Sequence, residues 1–150
     1  MAKVKKLKII CDACCHVPNA NLKGNVGRKG KAAGGILFLD ENDTVIDEFG
    51  AYFGEKTVPQ AEYQAVIVAL DKASGICRNQ IEIWTDSELI VRQMNGDYGI
   101  KSGNIKPLFD ELKKLEKRFD VVKYFHHGKK SVLGKKADAL AEKEYRRHNP

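Results

Sequence analysis

The first third of the chain contains three apolar segments of strand length. Residues 7–13, 36–39 and 44–53 are rich in branched and aromatic side chains, and the polar residues 41–43 are typical of a hairpin turn between the last two. Residues 14–33 are rich in Gly, Asn and Lys, which predicts an unusually long loop after the first strand. Three strands in succession predict an antiparallel start to the sheet.

The rest of the chain alternates between helix and strand patterns. Thr57 and Gln60 form a capping-box pattern, and Pro59 suits the first helical turn because the N–H that proline lacks is unpaired there. Thr85 and Glu88 repeat the capping pattern directly after an alternating segment. Together these patterns predict strands over residues 80–85 and 121–125, helices over 61–72 and 104–117, a helix ending at 94, and a last helix containing 137–145.

This element order predicts an α/β protein with one mixed sheet (an α+β arrangement) flanked by helices. The chain has 150 residues, of which 43% are hydrophobic, which is enough for a single substantial core. It contains no internal repeat and no linker of biased composition. We therefore expect one domain over residues 1–150.

The chain is basic. Lys and Arg total 26 against 20 Asp and Glu, and the excess lies in clusters such as residues 23–31. Such clusters suit contact with nucleic-acid phosphates, although a basic surface that only confers solubility has the same composition. No apolar run is long enough to cross a bilayer, and the N-terminus lacks a signal-peptide pattern. We expect a cytoplasmic monomer with no membrane partner.

The four cysteines are Cys11, Cys14, Cys15 and Cys77. Three of them lie within five positions, which is a poor spacing for a disulfide framework, so reduced thiols are expected. The alternative is a zinc site, because a Cys-x-x-Cys pair with an adjacent His supplies suitable ligands; the candidates are Cys11, Cys14, Cys15 and His16. In a strand over residues 6–13, however, Cys11 points away from the face of Asp12, and the thiols do not converge. Buried or bystander cysteines are favoured over zinc.

Four acidic residues flank or interrupt apolar segments; they are Asp12, Glu62, Asp86 and Asp138. Like charges that converge on a low-dielectric site repel and take up protons unless a hard cation neutralises them. The four carboxylates therefore indicate a shared Mg²⁺ or Mn²⁺ site. Each acid also has a structural explanation, as a helix cap, a first-turn charge or a solvated end of an element.

The motifs around these acids occur in a family-specific order. Asp12 in the first strand is followed by AEYQA at residues 61–65, TDS at residues 85–87 and ADALA at residues 137–141. In this order the chain resembles type 1 ribonuclease H over residues 6–147. The resemblance implies a ribonuclease H-like fold, with a five-stranded mixed sheet of three antiparallel and then two parallel strands. It also implies hydrolysis of the RNA strand of RNA–DNA hybrids.

The resemblance further implies a mechanism with two Mg²⁺ or Mn²⁺ ions. Asp12 would bridge both ions, and Asp138 would complete the site that activates water. Glu62 and Asp86 would hold the ion at the leaving group. The products would carry 5′-phosphate and 3′-hydroxyl ends.

A pair of histidines precedes the last helix. His127, or less favourably His126, occupies about the place of a histidine that assists proton transfer or product release in many relatives. The alternative is a strand end with one packed and one solvated ring.

Substrate contacts also follow from the resemblance. The chain resembles the compact members, which lack an additional basic helix, and Lys29 and Lys31 of the basic cluster would substitute for it. Backbone groups near Cys14, Cys15 and Gln60 would read the 2′-OH that distinguishes RNA from DNA.

Four positions depart from the family pattern. Asp12 is followed by Ala and Cys where Gly and Ser are usual, and Pro59 and Gly134 stand where asparagine is common. These departures motivate two alternatives. One is a non-catalytic module that binds RNA–DNA hybrids, and the other is a nuclease of the same fold with a different nucleic-acid substrate.

Overall fold

The computed structural model describes residues 4–18, 28–100, 103–127 and 131–150. Within these residues the strands are β1 (Lys6–His16), β2 (Gly30–Leu39), β3 (Val45–Lys56), β4 (Gln80–Thr85) and β5 (Val121–His126). The helices are α1 (Val58–Ala73), α2 (Glu88–Met94), α3 (Lys106–Glu116) and α4 (Val132–His148). No helix in these ranges is long and apolar enough to cross a membrane.

The five strands form one mixed sheet in the order β3-β2-β1-β4-β5. The β1–β2 and β2–β3 pairs are antiparallel, whereas the β1–β4 and β4–β5 pairs are parallel. Helix α1 packs on the sheet together with α3, and α4 covers β1, β2 and β3 on the opposite face. The predicted arrangement of three antiparallel and two parallel strands is confirmed.

Successive side chains of β1 point to opposite faces of the sheet and pack in different hydrophobic clusters, as strand geometry requires. Ile9 and Cys11 are buried with Leu70 of α1, whereas Ile10 packs with Ala137 of α4. Asp12 lies two residues after Ile10 and therefore belongs to the α4 face of the sheet.

Strands β1 and β2 are longer than the sequence pattern predicts. β1 continues to His16 and β2 begins at Gly30, so both ends of the predicted loop over residues 14–33 belong to strands. The extension is held by antiparallel pairing up to His16 and Lys31. The start of β2 is rich in Gly and Ala, which have low strand propensity, and this explains the missing signal. Residues 19–27, with part of the basic cluster, lie outside the described residues.

Two helix starts depend on side-chain caps. The Gln60 N–H donates to Thr57 Oγ1 at 3.3 Å, and the Thr57 N–H donates to Gln60 Oε1 at 2.9 Å, so the predicted capping box is confirmed. Helix α2 is capped by Ser87, whose Oγ accepts a hydrogen bond from the Ile90 N–H. Thr85 accepts from the Ser87 N–H instead. The prediction that the capping pattern of α2 starts at Thr85 is therefore wrong by two residues.

Candidate active site

Asp12 lies where β1 loses one of its two neighbours. β4 pairs with β1 as far as Cys11, which is opposite Thr85, whereas β2 continues beside β1 to His16. The Asp12 side chain is almost fully buried, and its Oδ1 accepts a hydrogen bond of 2.9 Å from the Ala13 N–H. The carboxylate is thus held at the carboxyl end of a parallel strand pair, a usual place for ligand sites in α/β sheets.

Asp86 follows the last residue of β4. Because Ser87 caps α2, the alternative in which Asp86 serves only as the helix cap is wrong. The Asp86 side chain lines the same cleft as Asp12 and interacts with the Asp12 carboxyl group directly. The strand-to-helix switch therefore supplies the second acidic group of the cleft.

Asp138 reaches the cleft because α4 approaches the backbone of the sheet. Gly35 is the β2 residue paired with Asp12. A Cβ on Gly35 would lie 1.8 Å from the carbonyl oxygen of Ala137, so α4 rests directly on the β2 backbone. Asp138 follows Ala137 in the helix and lines the cleft.

The three aspartates line one open cleft, together with Ala13 and Lys135. Burial raises the pKa of Asp12 to about 8, and the Asp86 and Asp138 carboxylates add to this rise. Sequence reasoning did not single out Lys135. Lys135 precedes Asp138 by three residues, so the two side chains lie on the same face of α4. This spacing could have identified Lys135 from the sequence.

The donors of the cleft suit a hard divalent cation. Carboxylate oxygens are the ligands that Mg²⁺ and Mn²⁺ prefer, and the cleft presents three carboxylate side chains. Among the described residues the oxygens of the three aspartates are not all within 4.8 Å of one another. By donor chemistry, the residues present fit a Mg²⁺ or Mn²⁺ site.

Glu62 lies later in α1 than predicted. The helix begins at Val58 and has no acidic residue in its first turn, so the explanation of Glu62 as a first-turn charge is wrong. Within the described residues Glu62 is not part of the cleft lining, but it lies close to the end of β1. Burial raises the pKa of the Cys15 thiol, and the Glu62 carboxylate contributes to that rise.

The two histidines have different environments. His126 is exposed, whereas His127 is buried. The backbone N–H of His127 donates to the Thr85 carbonyl oxygen at 2.9 Å. A Cβ on Gly134 would lie 2.8 Å from His127 Cε1, so the ring packs against the start of α4. This arrangement matches the alternative of one packed and one solvated ring. A role of His127 in proton transfer stays a prediction.

The predicted substrate-binding residues are placed as follows. Lys29 and Lys31 are exposed at the start of β2. Gln60 uses its side chain in the capping box, and the Cys15 thiol donates to a β3 carbonyl oxygen at 3.2 Å. Cys14 is buried on the α4 face, with Ala141. Contact of these groups with a nucleic acid stays a prediction.

The sequence profile of the family described as reverse transcriptase-like matches residues 21–144. This chain belongs to that family. The matched segment contains Glu62, Asp86 and Asp138 and begins after Asp12. Three of the four predicted acids therefore lie within the part of the chain that defines membership of the reverse transcriptase-like family.

Two curated relatives of this reverse transcriptase-like chain match only part of their own length. Ribonuclease HI of Halobacterium salinarum is 30% identical over 115 residues, which cover 77% of this chain and 57% of that protein. A bifunctional protein of Mycobacterium tuberculosis is 26% identical over 118 residues, which cover 79% of this chain and 30% of that protein. The chain thus spans between 30% and 57% of the length of these relatives.

Solved structures agree with this assignment. The crystal structure of ribonuclease H1 from Halobacterium salinarum is similar with a TM-score of 0.77 and 26% identity, covering 92% of this chain and 96% of that chain. A ribonuclease H1 in complex with an RNA/DNA hybrid has a TM-score of 0.80 and 27% identity, covering 96% and 99%. The predicted ribonuclease H-like fold and the resemblance to type 1 ribonuclease H are confirmed.

Proposed function

We propose that the chain is an endonuclease that hydrolyses the RNA strand of RNA–DNA hybrids. The observation that carries the proposal is the convergence of Asp12, Asp86 and Asp138, from three separate elements, on one cleft. Membership of the reverse transcriptase-like family supports it, as does similarity to a ribonuclease H1 that binds an RNA/DNA hybrid. The net charge of +6 supports a polyanionic substrate.

Four carboxylates would hold two Mg²⁺ or Mn²⁺ ions. Asp12 would contact both, Asp138 would complete the site on the side of the attacking water, and Glu62 with Asp86 would complete the site on the side of the leaving group. When bound, the ions supply activation of water and stabilisation of the leaving 3′ oxygen. The products are 5′-phosphate and 3′-hydroxyl ends.

The chain's own side chains would position the substrate. Lys135 adds a positive charge to the cleft, where it would attract the scissile phosphate and offset repulsion from the aspartates. Lys29 and Lys31 are exposed and would contact phosphates, and the backbone near Cys14 and Cys15 would read the 2′-OH. A monomeric state and a cytoplasmic location stay predictions from the sequence.

The test is cleavage of an end-labelled RNA–DNA hybrid with Mg²⁺, Mn²⁺ or EDTA, beside single-stranded RNA and both homoduplexes. We expect cleavage of the hybrid alone, dependent on the cation. Asp12→Asn and Asp86→Asn should each lower the rate at least about a hundredfold. Asp110→Asn, at an exposed position of α3, is the matched control and should cleave like the wild type.

The outcomes separate the alternatives. Hybrid binding without cleavage in any cation would favour the non-catalytic binding module. Cleavage of duplex DNA or duplex RNA in preference to the hybrid would favour a nuclease of the same fold with another substrate.

A further inference from the structure

A second group of metal-binding side chains lies beside the aspartate cleft. It consists of Cys14, His16 and Glu142, each of which offers a ligand atom within 4.8 Å of the other two. We propose that these three residues form a binding site for Zn²⁺, separate from the carboxylate site. Among the described residues, no other group of three or more Cys, His, Asp or Glu side chains has its ligand atoms within 4.8 Å of one another.

The fold brings the three residues together by simple periodicity. Asp12, Cys14 and His16 alternate along β1 and therefore project from one face of the sheet. On α4, Glu142 lies one helical turn after Asp138 and faces the same strand. Asp12 and Asp138 therefore face each other across the β1–α4 interface. Two residues further along β1 and one turn further along α4, the same interface holds a thiol, an imidazole and a carboxylate.

The His16 and Glu142 side chains already have nearly the spacing of two zinc ligands. His16 Nε2 lies 3.1 Å from Glu142 Oε1 and 3.0 Å from Oε2. Zn–N and Zn–O bonds of about 2.0–2.2 Å would separate tetrahedral ligand atoms by about 3.3–3.6 Å. A shift of a few tenths of an ångström would therefore let a cation replace the proton between them.

The environment of the site restricts the imidazole and leaves a path for the ion. The His16 ring stacks on Tyr145 at a centroid distance of 3.7 Å and an angle of 18°, which limits its rotation, as outer-shell partners do in metal sites. Cys14 is buried in a small apolar cluster with Ala33 and Ala141. The side chains of His16 and Glu142 are 41% and 28% exposed, so an ion can enter from solvent.

Donor chemistry favours zinc over the hard cations of the aspartate cleft. Sulfur and imidazole nitrogen suit Zn²⁺, whereas Mg²⁺ prefers an all-oxygen shell. One thiolate and one carboxylate balance the charge of a divalent ion. Three protein ligands leave a fourth position for water or another ligand, as in zinc sites that are not purely structural.

The sequence argument against zinc considered a different set of ligands. Cys11 and Cys14 lie on opposite faces of the sheet, so these two thiols do not converge. The third ligand of the proposed site is instead Glu142, which is 126 residues from His16 in the chain. Only the packing of α4 on β1 brings it close.

The site is tested with Co²⁺, which substitutes for Zn²⁺ and reports a thiolate ligand through charge-transfer absorption in the near ultraviolet. The full chain, stripped of metals, is titrated with Co²⁺ in excess Mg²⁺. We expect the absorption band to appear with one Co²⁺ per chain and to disappear when Zn²⁺ is added. This measurement does not use nuclease activity, so its outcome is independent of the proposed function.

Three variants make the test specific. Cys14→Ser should abolish the band, whereas Cys15→Ser should retain it, because the neighbouring thiol bonds to a β3 carbonyl oxygen. Glu142→Gln should raise the Co²⁺ dissociation constant at least about tenfold. Absence of the band in the wild type, or its persistence in Cys14→Ser, would overturn the proposal. If Cys14→Ser is unfolded by circular dichroism, an unchanged Co²⁺ affinity of Glu142→Gln would overturn it.

Discussion

Gly35 of β2 and Ala137 of α4 are in direct backbone contact, because a Cβ on Gly35 would lie only 1.8 Å from the Ala137 carbonyl oxygen. Gly35 is paired with Asp12 in the β1–β2 ladder, and Asp138 follows Ala137 in the helix. One close approach between helix and sheet therefore sets the separation of two acidic groups. A larger residue at position 35 would push α4 away from the sheet and Asp138 away from Asp12.

Gly35→Ala is expected to lower the free energy of unfolding by about 1–3 kcal/mol or more, because the clashing atoms belong to backbone that cannot rotate away. It should also slow hybrid cleavage, since the carboxylates move apart. Urea denaturation and the cleavage assay measure both effects. Gly75→Ala is the matched control, because a Cβ there would lie 3.6 Å from the nearest atom. Equal stability of the two variants would contradict the contact.

Signals that are local in the sequence predicted local structure well. The pattern over residues 80–85 gave both ends of β4, and the Thr57 capping box was located from two residues three positions apart. Asp12, Asp86 and Asp138 were identifiable because a carboxylate at the border of an apolar segment is unusual and each lies at a strand end or on a helix face. The resemblance to the family rested in addition on the order in which the acidic motifs occur along the chain.

Features that depend on packing between distant elements had no such signal. The end of β1 at His16 depends on pairing with the Gly- and Ala-rich start of β2, whose composition argues against a strand. The need for glycine at position 35 comes from close contact with Ala137 of α4, which is distant in the sequence. Glu62 was predicted in the first turn because the apolar periodicity begins at Ala61, whereas the Thr57 cap starts α1 at Val58 and puts Glu62 in the second turn.

The side chain of Gln60 is expected to act in stability rather than in substrate binding. Because it completes the capping box with Thr57, Gln60→Ala and Thr57→Ala should each lower the free energy of unfolding by about 0.5–2 kcal/mol. Hybrid affinity in EDTA, measured by fluorescence anisotropy, should stay within about twofold of the wild type, since backbone groups would make the contact. Gln64→Ala, later in α1, is the control. A large loss of affinity in Gln60→Ala alone would show a direct substrate contact.

Asp12 should make the cation-free protein less stable as pH rises. Its pKa is raised to about 8 in the folded state, against about 3.9 in the unfolded chain. Between these values the folded state keeps a proton that the unfolded state has lost, so the free energy of unfolding falls as pH increases and levels off above the folded pKa. Asp12→Asn cannot titrate and should escape this fall.

Urea denaturation in EDTA at about pH 5 and about pH 8.5 tests this linkage. The stability of Asp12→Asn relative to the wild type should increase between the two conditions by an amount on the order of a few kcal/mol. Asp110→Asn should follow the wild type. Saturating Mg²⁺ should reverse the order at high pH, because the cation binds the folded wild type. Parallel pH profiles of the wild type and Asp12→Asn in EDTA would show that Asp12 ionises normally.

Gly134 and His127 should be energetically coupled. A Cβ at position 134 would lie 2.6 Å from Ser131 Oγ, which caps α4, and 2.8 Å from His127 Cε1, so Gly134→Ala must displace both the capping hydroxyl and the ring. We expect the substitution to lower the free energy of unfolding by about 1–3 kcal/mol, despite the better helix propensity of alanine. In a His127→Ala background the ring is gone, and the same substitution should cost less, with the contact to Ser131 Oγ remaining. Urea denaturation of the four proteins forms a double-mutant cycle, with an expected coupling of at least about 0.5 kcal/mol.

This cycle also separates two explanations of His127. If the ring only fills space under α4, His127→Ala should lower stability but leave the maximal rate of hybrid cleavage nearly unchanged. If it transfers protons, the rate should fall and its pH dependence should change, and an added imidazole buffer should restore part of the rate. A coupling near zero would show that Gly134 does not hold the ring.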